Sequence, residues 1–310
     1  MSAITLADVV LRYGATEALS HVSVEIAAGE MFGLIGPDGA GKTTAIRVMC
    51  GLLRPDAGRV RSLGLDPLRE HRRLSERVGY LSQRFSLYGD LTIDENIAFF
   101  AEVHGVRNYA RRRNELLAMT QLTPFRARLA DRLSGGMKQK LALACTLVHA
   151  PELILLDEPT TGVDPVSRRE FWKLLSVFLA EGITVVMSTP YLDEAERCTR
   201  IAFLHEGRVL VVDEPGRLRA SMSGRMFEVV APDRGAGELL GGFPGVRAAH
   251  VFGERVHVTL DDRESDAEAR FMAALQSSAL SGASTRVVPP SLEDVFIARL
   301  SGGSGEAAHA

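Results

Sequence analysis

The sequence predicts an α/β fold: a parallel sheet core with an inserted helical subdomain, followed by a small α+β domain. Three observations carry that reading. Strand-like and helix-like segments alternate across residues 31–212, a helical stretch at 92–145 interrupts them, and the composition changes after about Gly224.

Residues 4–34 alternate as half-buried strands do, with Val22, Val24 and Ile26 pointing one way and turns at Gly14 and Ala28-Gly29. A short apolar strand at 31–35 runs into a glycine-rich loop and a helix from Lys42 to about Leu53. Asp56-Ala57-Gly58 turns the chain, and 78–81 reads as another strand. Residues 92–121 read as wholly helical, opened by a capping box of Thr92 with Glu95. A helix from Ser134 precedes a strand at 153–156, a helix at 166–180, a strand at 183–188, a helix at 191–197 and strands around 201–212. Beyond Gly224, glycines at 235, 237, 241, 242 and 245 lie among strand-like pieces at 226–231 and 246–260, with a helix at 264–277. The expected domains are therefore 1–220, with its helical lobe at about 92–145, and 221–300. Residues 301–310, rich in Gly, Ser and Ala, are expected to be a disordered tail.

Composition narrows the function. The 310 residues are 46% hydrophobic, enough for one large domain and a small one, and the formal net charge of −3 does not suit a nucleic-acid or anionic-lipid binder. Only four lysines, Lys42, Lys138, Lys140 and Lys173, stand among the 36 basic residues. Cys50, Cys145 and Cys198 form no C-x-x-C pair, which suits a reducing cytosol and neither a disulfide framework nor a zinc site. No secretory signal is read at the N-terminus, and no apolar run approaches the ~18–20 residues that span a bilayer.

Gly36-Pro37-Asp38-Gly39-Ala40-Gly41-Lys42-Thr43-Thr44 satisfies G-x-x-x-x-G-K-[ST] between a strand and a helix. Glycines let backbone N–H groups curl around a phosphate, and the helix N-terminus adds partial positive charge. Lys42 can reach the β- and γ-phosphates of a nucleoside triphosphate, and the Thr43 hydroxyl can ligate Mg²⁺. Leu153–Leu156 then delivers Asp157 and Glu158 from the end of an apolar strand. Asp157 suits the Mg²⁺ shell and Glu158 a general base that polarises water. Ser134-Gly135-Gly136 opens a helix. Ser134 reads as an N-cap, but two glycines in a first turn cost helix stability and instead bare the backbone for a phosphate. Two phosphate-binding helix starts on separate lobes suggest a site completed across a dimer.

With these motifs in this order, residues 4–215 resemble the ATP-binding domain of ABC transporters. The resemblance implies that Tyr13 stacks on adenine and that Gln83 contacts Mg²⁺ and senses a transmembrane partner. It further implies that Ser134–Gly136 meet the γ-phosphate held by the opposite subunit. Thr161-Gly162-Val163-Asp164 falls on the loop that crosses the dimer interface, though Asp164 equally suits a cap for the helix that follows. Met137, Phe85-Ser86-Leu87-Tyr88 and Pro290-Ser291-Leu292-Glu293-Asp294-Val295-Phe296 resemble the bacterial drug- and polymer-export branch, whose members carry an extra C-terminal domain. One position departs from the family: Pro190 stands where a histidine would contact the γ-phosphate, and proline has no side-chain donor or N–H.

The expectation is an ATP-hydrolysing motor subunit, peripheral on the inner face of the cell membrane, that closes as a homodimer or heterodimer on Mg²⁺ and ATP. It would drive a separate integral-membrane permease, docked through residues 84–105 with Phe85, Tyr88, Phe99 and Phe100, and bind no nucleic acid. The alternatives are a soluble ABC ATPase outside transport and an ATP-binding switch that hydrolyses weakly.

Overall fold

The computed structural model describes residues 1–83, 87–231, 235–261 and 263–306, without the side chains of 302–306. It divides into two compact units, Met1–Glu214 and Pro215–Ala310.

The first unit opens with a hairpin, β1 (Ser2–Tyr13) and β2 (Thr16–Ala27), followed by β3 (Met31–Ile35), α1 (Lys42–Met49), β4 (Ala57–Ser62), α2 (His71–Ser75) and β5 (Val78–Leu81). The lobe holds α3 (Ile93–Val103), α4 (Ala110–Met119) and α5 (Gly135–Leu147). Then come β6 (Leu153–Asp157), α6 (Pro165–Ala180), β7 (Thr184–Thr189), α7 (Leu192–Ala195), β8 (Arg200–His205) and β9 (Arg208–Asp213). The main sheet runs β5-β6-β7-β3-β8-β9 and is parallel except at its β8–β9 edge. A separate antiparallel sheet, β2-β1-β4, packs over one side.

Helix α1 is buried between these sheets. Ala45, Ile46, Val48 and Met49 join Val9 and Val22 from one sheet and Phe32, Leu34, Leu155 and Val186 from the other in one apolar cluster. Each large side chain so buried contributes about 1.5–3 kcal/mol. That packing fixes the loop between β3 and α1.

The stretch expected as one helix at 92–121 is broken. The Thr92–Glu95 capping box starts α3, but His104 ends it and Gly105 takes φ 68°. The Gly105 amide then donates to Glu102 O at 2.9 Å and the Val106 amide to Ala101 O at 2.8 Å. This paired closure stops a helix wherever a residue accepts the left-handed conformation, and glycine does so without strain.

The second unit starts earlier than expected, because α8 (Pro215–Ala220) contacts the C-terminal helix. It continues with β10 (Met226–Val230), α9 (Ala236–Gly241), β11 (Val246–Phe252), β12 (Arg255–Leu260), α10 (Ala267–Gln276), β13 (Ser284–Val287) and α11 (Leu292–Glu306). Its antiparallel sheet runs β11-β12-β10-β13. Residues 301–306, expected as a disordered tail, instead extend α11. Once a helix is nucleated each further residue adds one backbone bond, and the Ser301 hydroxyl donates to Ile297 O at 3.0 Å. The rest of that expected tail lies outside the described residues.

Candidate functional site

The loop after β3 owes its path to missing side chains. A Cβ at Gly36 would lie 2.2 Å from the Leu204 carbonyl oxygen, and one at Gly41 would lie 2.4 Å from that of Ala18. Gly41 caps α1 at φ 99° with no side-chain hydrogen bond, which leaves the first amides of the helix to an anion. Pro37, Asp38 and Gly39 form an exposed crest, Ala40 is buried beneath it, and Thr44 is half-buried in the first turn. Lys42 is 3% exposed. Its ammonium donates to Gly36 O at 2.8 Å and Pro37 O at 2.9 Å and lies 3.2 Å from Glu158 Oε1.

Strand β6 delivers the carboxylates. The Thr43 hydroxyl donates to Asp157 Oδ1 at 2.9 Å, and the Ser188 hydroxyl donates to the same oxygen at 2.7 Å. Asp157 Oδ2 is buried with no hydrogen-bond partner. A hydroxyl beside an uncommitted buried carboxylate oxygen is a hard-oxygen donor set that fits Mg²⁺. Glu158 takes φ 48°, a left-handed conformation that costs an ordinary residue ~1–2 kcal/mol. Its amide is held by Ser188 O at 3.2 Å and Ser188 Oγ at 2.9 Å. Its carboxylate accepts from Gln83 Nε2 at 3.1 Å and the Thr161 hydroxyl at 3.4 Å. Lys42, Thr43, Gln83, Asp157 and Glu158 thus converge in one place.

Ser188, Thr160 and Glu194 were missed in the sequence. Glu194 is 1% exposed and accepts from Thr160 Oγ1 at 2.5 Å and Thr189 Oγ1 at 2.7 Å. It therefore ties the loop beyond Glu158 to the end of β7, directly before Pro190. Arg168 supports this from α6, 3.6 Å from Glu194 and with its guanidinium 4.8 Å from the centre of the Tyr191 ring. A signal existed: a serine closing the apolar run Val185–Met187 demands a buried partner.

Other expected residues stand apart from this centre. Tyr13 is half exposed at the tip of the β1–β2 hairpin, and its side chain makes no hydrogen bond or ring contact among the described residues. Ser134 caps α5 by accepting from the Met137 amide at 3.3 Å. Its two glycines have different reasons. Gly135 is open, whereas a Cβ on Gly136 would meet Ser167 Oγ of α6 at 2.2 Å, so Gly136 also serves helix packing. No hydrogen bond joins this helix start to Lys42, Thr43 or Asp157 among the described residues. Asp164 caps α6, accepting from the Val166 and Ser167 amides at 3.0 Å. On the expected docking segment, the Tyr88 ring lies 4.5 Å from that of Phe99, which meets Phe100 at 5.5 Å; both phenylalanines are half-buried. Phe85 lies outside the described residues.

A glycine loop over a buried helix, with paired carboxylates at a neighbouring strand end, defines a P-loop nucleotide-binding fold. Residues 19–161 match the family described as "ABC transporter". Over 93% of its length the chain is 41% identical to "Probable multidrug ABC transporter ATP-binding protein YbhF" of Escherichia coli, and it spans about half (50%) of that relative. It is 35% identical to "Daunorubicin resistance ATP-binding protein DrrA3" of Streptomyces coeruleorubidus, over 96% of this chain and 95% of that one. Among solved structures, the dimeric bacterial ABC transporter cassette MJ0796 is 29% identical with a TM-score of 0.62, covering 68% of this chain and 98% of the cassette. The chain belongs to the ABC transporter family of ATP-binding proteins.

Proposed function

We propose that this chain is the ATP-hydrolysing motor subunit of an exporter, paired with a second ATP-binding subunit on the inner face of the cell membrane and coupled to a separate permease. The observation that carries this reading is the convergence of Lys42, Thr43, Asp157 and Glu158 at the loop before α1. Lys42 and the amides from Gly39 to Thr44 would hold the β- and γ-phosphates of ATP. Thr43, Asp157 and Gln83 would hold Mg²⁺, which neutralises phosphate charge when bound. Glu158, released from Lys42 as the phosphates take that ammonium, would accept the proton of the water that attacks the γ-phosphorus. Tyr13 would supply a face for adenine.

The start of α5, where Ser134 and Gly135 are exposed, would complete the site of the opposite subunit, since among the described residues no hydrogen bond ties it to Lys42, Thr43 or Asp157 of its own chain. The relatives named for multidrug transport and daunorubicin resistance support export as the direction. The same reading makes hydrolysis slow. Pro190 offers no donor, and the neighbouring Thr189 hydroxyl is spent on Glu194 and on the Tyr191 amide, 3.0 Å away.

The test is association driven by ATP. Glu158→Gln should keep Mg-ATP bound and unhydrolysed, and sedimentation should show a dimer. Adding Ser134→Arg should return it to monomer. Persistence of the dimer in the double variant would remove α5 from the interface.

A further inference from the structure

The second unit follows the order β10-α9-β11-β12-α10-β13, a split βαβ arrangement on a four-stranded antiparallel sheet. Phe227, Val229, Val256 and Val258 face α9 and α10 on one side, with Phe271 at the centre of that core. Alternation turns Glu228, Arg255, His257 and Thr259 to the other side. Helix α11 lies there, held by Asp294, whose Oδ1 is 2.8 Å from His257 Nδ1 and whose Oδ2 accepts from the Ser291 amide and hydroxyl at 2.8 and 2.6 Å.

Charge on this second side is divided unevenly. Where Glu228 and Asp294 lie, every carboxylate has a basic neighbour: Glu228 meets Arg286 at 2.7 Å, Arg255 at 3.1 Å and His257 at 3.6 Å. Further along, α11, β11 and the turn after α8 enclose a crevice of about 230 Å³. Arg247, His250 and Arg299 line it over an apolar wall of Ala248, Val295 and Ala298, and none of the lining residues is acidic. Arg247 donates to the Ser223 hydroxyl at 2.7 Å. The side chains of His250 and Arg299 make no hydrogen bond or ion pair among the described residues. Arg247 and Ser223 also line an adjoining cleft of about 660 Å³ with Asp261 and Arg263, where Asp261 Oδ1 accepts from the Arg263 amide at 3.0 Å.

We propose that this crevice binds a small soluble organic anion, a phosphate or carboxylate carried on a compact apolar body. Each guanidinium presents a planar fork of N–H donors matched to such oxygens. The apolar wall of Ala248, Val295 and Ala298 gives the body of such a ligand a surface to lie against. The volume lies below the roughly 300–1,000 Å³ of pockets for drug-sized ligands, which limits the body to a small one. An anion held by Arg247 of β11 and Arg299 of α11 would also fasten the C-terminal helix to its sheet.

The proposal does not depend on the nucleotide site, and the experiment removes that site from the readout. The full chain, saturated with Mg²⁺ and a non-hydrolysable ATP analogue so that the P-loop is filled, is titrated calorimetrically with phenyl phosphate. Saturable binding is expected, weakened at least about tenfold by Arg247→Ala with Arg299→Ala. Ala248→Leu, which fills the crevice without changing charge, should weaken it comparably, and Arg59→Ala, on the other unit, should not. Circular dichroism melts establish that each variant is folded. No saturation by about 10 mM, or unchanged affinity in the folded variants, overturns the site. Inorganic phosphate binding as tightly as phenyl phosphate overturns the apolar body. Arginine-dependent binding to phosphatidylglycerol vesicles, with none to phenyl phosphate, overturns the soluble ligand.

Discussion

Pro190 ends the strand that carries Ser188 and Thr189, and the groups around it are already engaged. Thr189 is fully buried and bonded to Glu194, while the Tyr191 ring lies beneath Arg168. The Thr189 hydroxyl is therefore not offered as a substitute for an imidazole. Pro190→His would add a donor beside the phosphate-binding residues. A single preorganised donor contributes ~2.7–4 kcal/mol in an oxyanion hole, and less is expected next to Lys42 and Mg²⁺. We expect kcat to rise about tenfold, near 1.4 kcal/mol, with ATP affinity little changed. Steady-state ATPase assays and equilibrium binding on the same preparation separate the two effects. A flat or lower kcat would show that Pro190 does not limit the rate. The contrast with Ser188 shows what a sequence reveals at this scale. Lys42, Asp157 and Glu158 are recognisable because their types and order specify phosphate chemistry. Ser188 bonds to Asp157 only because β6 and β7 pair in the register that places those two residues side by side. A motif does not encode that register.

Between elements, the helical lobe meets strand β5 through two histidines. His104 at the end of α3 and His149 beyond α5 stack with centroids 3.8 Å apart and planes 7° from parallel, and His149 Nε2 lies 3.2 Å from Val78 O. Burial lowers the pKa of His149 to about 4, helped by repulsion from His104, against the usual 6.5. Burial lowers that of His104 as well. The unfolded chain thus binds protons at a pH where the folded chain does not. This contribution is complete above about pH 6.5 and is lost as pH falls from there towards 4. Between pH 7 and 5 it amounts to about 2 kcal/mol for His149. Urea unfolding of wild type and His149→Gln at both pH values should show the wild type losing about that much more. Equal losses would mean that His149 is not held neutral by the fold. The lobe itself was legible as helix from its capping box and periodicity. Its break at Gly105 was not, because a glycine reads equally as a tolerated interior residue or as a stop until its dihedral is known.

For the whole molecule, the parallel core could be read from alternating apolar strands and helices, whose periods differ. The second unit was only partly legible: α9 lies in a glycine cluster, where local propensity argues against a helix, while α11 opens on a Ser291–Asp294 cap, a signal present in the sequence that went unread. Tertiary packing decided there: Leu240 of α9 and Leu292 and Val295 of α11 are buried. The same scale bears on membrane association. Among the described residues no helix is long and apolar enough to cross a bilayer. A net charge of −3 opposes adsorption to anionic lipid, which draws proteins through clusters of basic residues worth ~1 kcal/mol each near the surface. The proposed motor role predicts attachment through a protein instead. In its native cell the chain should sediment with membranes, and protease treatment of those membranes, after which fresh purified chain is added, should abolish rebinding. The purified chain should ignore protein-free vesicles of the extracted lipids. Retention on those vesicles would show that lipid rather than a permease holds the chain, and the expected docking through residues 84–105 would then be the wrong account.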